Sequence, residues 1–192
     1  MDTISELRQC RNLSELSVGR RVVVIGGGNT AIDIAVQSKK LGAEDVTLAY
    51  RRGSEQMSAT WKEQEFAQTN GVNVKYWLAP KSLQSENGHV SGIEFECTEL
   101  NPKGKLVGTG ERRFIEADVV FKAIGQTLVN TLDSDSEIPE TEGGKIMVNL
   151  EYETSLANVW AGGDCIRSGE DLTVQAVEDG KQAAIAIHRK LT

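Results

Sequence analysis

The spacing of hydrophobic and polar residues changes several times along the chain, and each change marks an element. Val22-Val23-Val24-Ile25 is an unbroken β-branched apolar run, the pattern of a strand buried on both faces of a parallel sheet. From Ala31 the period lengthens. Ala31, Ile34, Ala35, Ser38 and Leu41 share one helical face, and Gly42 closes the helix as a C′ residue. Val46 to Tyr50 reads as a second strand, Gly53 to Ser58 as a loop, and Ala59 to Thr69 as a helix that Asn70-Gly71 ends. Val72, Val74 and Tyr76 alternate through a third strand, which Pro80 is expected to break. Trp61 and Trp77 are expected to pack. Val90 to Cys97 alternates again, and a turn at Asn101 to Gly104 with a strand near Arg112 to Phe114 completes an antiparallel meander. Asp118 to Ile124 then returns to the main sheet. Residues 127–145 are polar and read as a loop or linker, the acidic run Asp133 to Glu137 being a solvated surface. Two short strands (Ile146 to Val148, Val159 to Ala161) precede a helix from Leu172 to Leu191 with Val174, Val177, Ala184 and Ile187 among its apolar positions. Residues 1–18, with a short stripe of Ile4, Leu7 and Cys10 or Arg11, are expected as a lead-in helix or linker. The order βαβαβ, meander, β predicts an α/β fold: a Rossmann-like parallel sheet with an antiparallel β-meander.

Composition narrows the class. The chain has 192 residues, 39% hydrophobic and 26% charged, which is ordinary for a globular protein. Its net charge of −7 argues against nucleic acid or an anionic membrane as partner, since phosphate neutralisation needs a basic surface. No apolar run is long enough to span a bilayer, and Met1 to Glu6 lacks the basic and then apolar pattern of a signal peptide; a cytoplasmic location is expected. Cys10, Cys97 and Cys165 are far apart and form no C-x-x-C pair, so reduced thiols are expected rather than a redox dithiol or zinc knuckle. His89 and His188 stand alone, and no metal site is predicted.

The candidate chemistry lies where the first strand meets the first helix. Gly26, Gly28 and Ala31 fill a G-x-G-x-x-A frame set between the two. The first glycine turns the chain, the second lets a pyrophosphate approach the backbone, and the small third residue lets helix and strand lie close. Free N–H groups and the dipole at the helix start suit an anion, which makes Gly26, Gly27, Gly28, Asn29 and Thr30 candidate dinucleotide contacts. Arg51 stands twenty residues beyond Ala31, followed by Arg52. An NAD site places a carboxylate there for the ribose hydroxyls. A basic pair instead suits a 2′-phosphate through charge-assisted hydrogen bonds, so NADP(H) is the expected coenzyme. The alternative is that the pair merely solvates the strand's end. A short-chain-type dehydrogenase would need Y-x-x-x-K, but Tyr50, Tyr76 and Tyr152 are followed at that spacing by Ser54, Pro80 and Leu156.

Four stretches together resemble the two-dinucleotide-binding-domain flavoproteins, and within them the NADPH-dependent glutamate synthase small-subunit type and the reductase half of dihydropyrimidine dehydrogenases. They are Val24 to Asp33; Tyr50-Arg51-Arg52 with Met57 shortly after; Ala123-Ile124-Gly125-Gln126; and Trp160 to Asp164 running on to Leu172 to Lys181. The resemblance implies that residues 19–125 are an NADP(H)-binding domain and residues 126–192 the carboxyl segment of an FAD-binding domain, a partial segment ending in a helix. It implies that Ile124, Gly125 and Gly163 line coenzymes, and that Asp164 accepts from the flavin ribityl hydroxyls. The helix start at Thr173, Val174 and Ala176 would face the flavin pyrimidine. The implied reaction is hydride transfer from NADPH to FAD and passage of electrons to an iron–sulfur or other acceptor in a partner domain or subunit, with no catalytic side chain required. Such proteins carry an earlier glycine frame for FAD, which this chain lacks. It is therefore expected to be part of a larger or split protein, to hold FAD only with an amino-terminal half, and to be inactive alone. A binding or sensing module for NADP(H) without catalysis is the alternative. Ser58 stands where relatives tend to have proline, a departure expected to touch loop rigidity and little else. Thioredoxin reductases share the architecture but keep a C-x-x-C, so dithiol chemistry is not expected.

Overall fold

A computed structural model describes residues 18–125, 137–170 and 172–192. The lead-in expected over residues 1–17 and most of the acidic run lie outside the described residues. The chain divides after Gly125 into two compact units.

In the first unit β1 (Arg21–Gly26), β2 (Asp45–Ala49), β3 (Asn73–Lys75) and β7 (Val119–Ala123) form a parallel sheet in the order β3-β2-β1-β7. Helices α1 (Asn29–Lys40) and α2 (Trp61–Thr69) make the crossovers from β1 to β2 and from β2 to β3. Strands β4 (Leu78–Glu86), β5 (His89–Leu100) and β6 (Leu106–Glu116) form an antiparallel sheet before the chain returns as β7 beside β1. The continuous apolar run of β1 has a direct cause. Val22 and Val24 join the core that includes Ala31, Ile32, Ala35, Val36 and Leu48, whereas Val23 joins Leu78, Ile93, Phe95 and Ala117 of the meander side. With no polar face to present, the strand cannot alternate. Phe95 is fully buried, and each such side chain contributes about 1.5–3 kcal/mol.

Helix α1 buries Ala31, Ile32, Ala35, Val36 and Ser38, a face rotated slightly from the expected one, with Ile34 and Leu41 only partly covered. Helix α2 begins at Trp61 rather than Ala59 because Thr60 caps it: its hydroxyl accepts from the Glu63 amide, and the Glu63 carboxylate accepts from the Thr60 amide at 2.7 Å. That cap leaves Trp61 at the first helical position, 68% exposed, so the expectation that it packs in a core is corrected. Pro80 does not end strand structure. It sits inside β4, an edge strand with a register shift between Pro80 and Ser82, where a missing N–H is tolerated. The strand expected near Arg112 extends over all of β6.

In the second unit β8 (Thr141–Glu142) and β9 (Lys145–Ile146) form a hairpin about Gly143-Gly144, where a loop was expected. The strand expected through Val148 stops at Ile146. Val159 to Ala161 forms no strand; a single bridge joins Trp160 to Glu153. A 3₁₀ turn at Gly163–Cys165 precedes α3 (Thr173–Leu191). Among the described residues no helix is long and apolar enough to cross a membrane.

Candidate functional site

The sheet order makes β1 the strand from which the chain first moves toward β2 and β3 and later returns on the other side as β7. In open α/β sheets such a reversal leaves a crevice beyond the carboxyl ends of the strands. Three expected groups emerge at that edge. Gly26 ends β1 and Gly27 to Thr30 follow it, Arg51 and Arg52 follow β2, and Ile124 and Gly125 follow β7. Parallel register sets them level, with Ile25 opposite Ala49 and Gly26 opposite Ala123.

At Gly26 the backbone admits no side chain. A β-carbon there would lie 2.2 Å from the Ala123 carbonyl oxygen and 3.0 Å from the Ala31 β-carbon. Strand, returning strand and helix therefore approach as closely as a glycine permits, with Ala31 filling the third place of the frame. Helix α1 starts from Gly28, whose carbonyl accepts from both the Ala31 and Ile32 amides at 3.0 and 3.2 Å. Among the described residues no side chain caps this end, and no acid occupies its first turn. Among the described residues the amides of Asn29 and Thr30 find no acceptor. An uncapped helix start with free donors can accept an anion.

The segment after β2 is held firmly. The carbonyls of Tyr50, Arg51 and Arg52 accept, in turn, from the Leu78 amide (2.9 Å), the Thr98 hydroxyl (2.7 Å) and the Trp77 amide (3.2 Å). Arg51 is exposed and Arg52 half-buried, and among the described residues no carboxylate pairs with either guanidinium. The Tyr50 hydroxyl donates to the Gln56 carbonyl at 2.6 Å. Ser58 corrects its expectation. Its hydroxyl donates to the Gly27 carbonyl at 3.2 Å, beside the Ala59 amide at 3.0 Å, so it ties the loop to the glycine turn as well as shaping it.

The second unit brings the remaining expected residues together. Gly163 is buried with φ +82°, and a β-carbon there would meet that of Ala176 at 3.3 Å, so the turn lies directly on the first half of α3. Asp164 is exposed and no donor among the described residues reaches its carboxylate. Thr173, Val174 and Ala176 at the helix start are exposed. Cys165 is half-buried, its thiol directed at the Gly162 carbonyl at 3.2 Å.

Sequence reasoning includes Asp179 in the stretch Leu172 to Lys181 but gives it no role. Its carboxylate, only 1% exposed, accepts from the Gly163 backbone amide (2.9 Å), the Gln175 side-chain amide (2.7 Å) and the Tyr152 hydroxyl (3.2 Å). These bonds, the Gly163 one foremost, hold its pKa below the usual carboxylate range against the opposing effect of burial. Burial, reinforced by the Asp179 charge, raises the Tyr152 phenol. The available signal was an aspartate at helical spacing between Ala176 and Ala183, on the face that meets the paired glycines.

The family model for pyridine nucleotide-disulphide oxidoreductases matches residues 1–180. The glutamate synthase [NADPH] small chain of Escherichia coli is 36% identical over 185 residues, covering 88% of this chain and 38% of that protein. The NADP(+)-dependent formate dehydrogenase subunit beta of Moorella thermoacetica is 34% identical over 184 residues, covering 90% of this chain and 25% of that one. The chain thus spans well under half the length of these curated relatives. Among solved structures, the thioredoxin reductase of T. acidophilum superposes with a TM-score of 0.76 at 24% identity, over 88% of this chain and 52% of its own. That likeness concerns the fold.

Proposed function

The chain belongs to the pyridine nucleotide-disulphide oxidoreductase family, and from that premise we propose that it is the NADP(H)-binding part of a flavin-dependent oxidoreductase of the glutamate synthase small-subunit type. The observation that carries the reading is the shared sheet edge. There a helix start whose Asn29 and Thr30 amides find no acceptor among the described residues stands level with two guanidinium groups that have no described partner. Those donors fit a dinucleotide carrying a third phosphate. Gly26, Gly27, Gly28, Asn29 and Thr30 would hold the pyrophosphate, Arg51 and Arg52 the 2′-phosphate, and Ile124 and Gly125 the far wall. Relatives named for NADPH and NADP(+) support the same coenzyme.

On this reading residues 19–125 are the NADP(H) domain and residues 126–192 the carboxyl segment of an FAD domain. The Asp164 carboxylate would accept from flavin hydroxyls, and Gly163 with Thr173, Val174 and Ala176 would supply the turn and helix start beside it. Exposed and without a described partner, Asp164 has the free acceptor capacity this requires. The two coenzymes supply hydride transfer, the protein positioning and electrostatics. Electrons would pass to an iron–sulfur or other acceptor in a partner domain or subunit, in the cytoplasm.

Calorimetric titration of the chain with NADPH and NADH, with and without FAD, tests the reading. NADPH is expected to bind at least about tenfold more tightly than NADH. Equal affinity for the two, or no binding of either, would overturn it.

A further inference from the structure

We propose that Thr98 is a positioning residue for coenzyme choice, fixing the basic pair through its backbone so that the guanidinium groups reach a 2′-phosphate. The inference rests on the reading of Arg51 and Arg52 given above and extends it to a strand that carries no expected site residue.

Only Ser38, Thr47, Thr98 and Asp179 are buried polar side chains among the described residues. The Ser38 hydroxyl turns back on its own helix, to the Ile34 carbonyl. Thr98 does the opposite: its hydroxyl leaves the antiparallel sheet and donates to the Arg51 carbonyl at 2.7 Å, 47 positions away. Such a bond is not needed to complete β5, whose own ladder is irregular at this point. The register against β6 shifts between Glu96 and Thr98. A bulge of this kind re-aims a side chain.

A second tie runs through Trp77, whose carbonyl accepts from the Thr98 amide at 2.9 Å and whose own amide donates to the Arg52 carbonyl at 3.2 Å. Trp77 holds φ +61°, a left-handed conformation unfavourable for a bulky residue, which persists only where the surroundings dictate it. Its ring also closes over the next residue, since a β-carbon on Gly53 would lie 2.8 Å from the Trp77 Cζ2. Thr98 thus bonds to both ends of a clip that grips Arg51 and Arg52 by the main chain, with the Trp77 ring against Gly53, and leaves both guanidinium groups without a described carboxylate partner. Arg is a flexible side chain, and fixing its root reduces the entropy lost when it captures a phosphate.

The test is titration of the 192-residue chain and its variants with NADPH and NADH, read as the ratio of the two dissociation constants. Thr98→Val removes the donor and keeps the shape; Thr98→Ser keeps the donor. Thr98→Val is expected to lower the preference for NADPH about fivefold, through NADPH affinity alone, while Thr98→Ser retains the wild-type ratio. A ratio unchanged in Thr98→Val, or an equal loss of both coenzymes, overturns the inference and leaves Thr98 a structural residue. If the valine variant does not fold, Thr98→Ala makes the same comparison, and failure of both to fold also assigns Thr98 to stability alone. A wild-type chain with no preference for NADPH would bring down the reading of the basic pair and this inference with it. A wild-type preference that survives Thr98→Val sinks only the inference.

Discussion

The Asp179 carboxylate on α3 accepts a hydrogen bond from the Gly163 amide, so a buried charge on the helix holds the turn that precedes it. Tyr152 and Gln175 complete its coordination, and no polar atom of a described buried side chain lacks a partner. Removing the acceptor leaves the Gly163 amide and the Tyr152 hydroxyl competing for nothing inside the unit. Asp179→Ala is expected to speed amide exchange at Gly163 and to lower the thermal stability of residues 137–192, with little change at β1. Asp179→Asn, which keeps one oxygen for Gly163, should exchange at an intermediate rate. Unchanged exchange at Gly163 in the alanine variant would remove Asp179 from this role.

The glycine frame makes an independent claim on packing. A β-carbon on Gly26 would collide with the Ala123 carbonyl at 2.2 Å, which belongs to backbone and cannot rotate away. Gly26→Ala must push β7 or α1 from β1. Overpacking of this kind costs about 1–3 kcal/mol. Chemical denaturation is expected to show a loss in that range, with coenzyme binding lost at the same time. A folded variant of unchanged stability would mean that the three elements approach less closely than described.

Much of the first unit was legible because buried parallel strands write their environment into sequence. β1, β2 and β7 carry apolar runs, and the G-x-G-x-x-A frame announces how close α1 must come. Strand β4 was missed for a physical reason. Beyond Leu78 and Ala79 its residues face solvent on an edge, so Lys81, Ser82, Gln84, Ser85 and Glu86 show no apolar period and Pro80 looked like a stop. Trp61 misled in the other direction: aromatics usually report a core, but the Thr60 cap fixes this one at an exposed helix start. Val159 to Ala161 resembles a strand in composition and makes only one bridge, at Trp160. The basic pair's position after β2 was legible. Its anchoring by Trp77 and Thr98 was not, because nothing in local sequence says that a threonine on β5 will face the end of β2. Asp179 was hidden in the same way by a contact between distant segments.

Helix α3 offers a gain in stability. Gly180 lies in its interior, exposed, and a β-carbon there would meet no atom within 4 Å. Glycine in a helix interior costs about 0.5–1 kcal/mol relative to alanine. Gly180→Ala should therefore stabilise the second unit by that amount, measured as a raised denaturation midpoint. A destabilised variant would place an unseen neighbour against this face.

Acid should weaken the first unit at the opposite end of its sheet from the basic pair. Asp118 accepts from the Arg21 guanidinium at 2.7 Å and from the Arg21 and Arg20 amides at 2.9 and 3.1 Å, joining the start of β1 to β7. Hydrogen bonds from the Arg21 side chain, and then from its amide, lower the Asp118 pKa in the folded state. A carboxylate depressed on folding contributes stability that is complete above its unfolded value, near 3.9, and is lost as pH falls through the lower folded value. As pH falls below about 5, wild type should lose stability more steeply than Asp118→Asn, which has no proton to take up. The carboxylate is a third exposed, so added salt should reduce the difference. Parallel pH profiles for the two proteins would show that the link between Asp118 and Arg21 does not couple to folding.

Charge reversal separates recognition of the 2′-phosphate from binding of the rest of the coenzyme. Arg51 has no described carboxylate partner, so its replacement breaks no ion pair, and its carbonyl, which Thr98 holds, is unaltered. Arg51→Asp places a negative group where the reading puts a phosphate, turning a charge-assisted attraction of about 1.5–3 kcal/mol into repulsion. NADPH affinity is expected to fall at least tenfold, on the order of that lost attraction. NADH, which offers two hydroxyls to the new carboxylate, should bind as before or better. Calorimetry with both coenzymes checks this directly. An equal loss of both would return Arg51 to the role of a solvated strand end and leave the coenzyme preference to Arg52 alone.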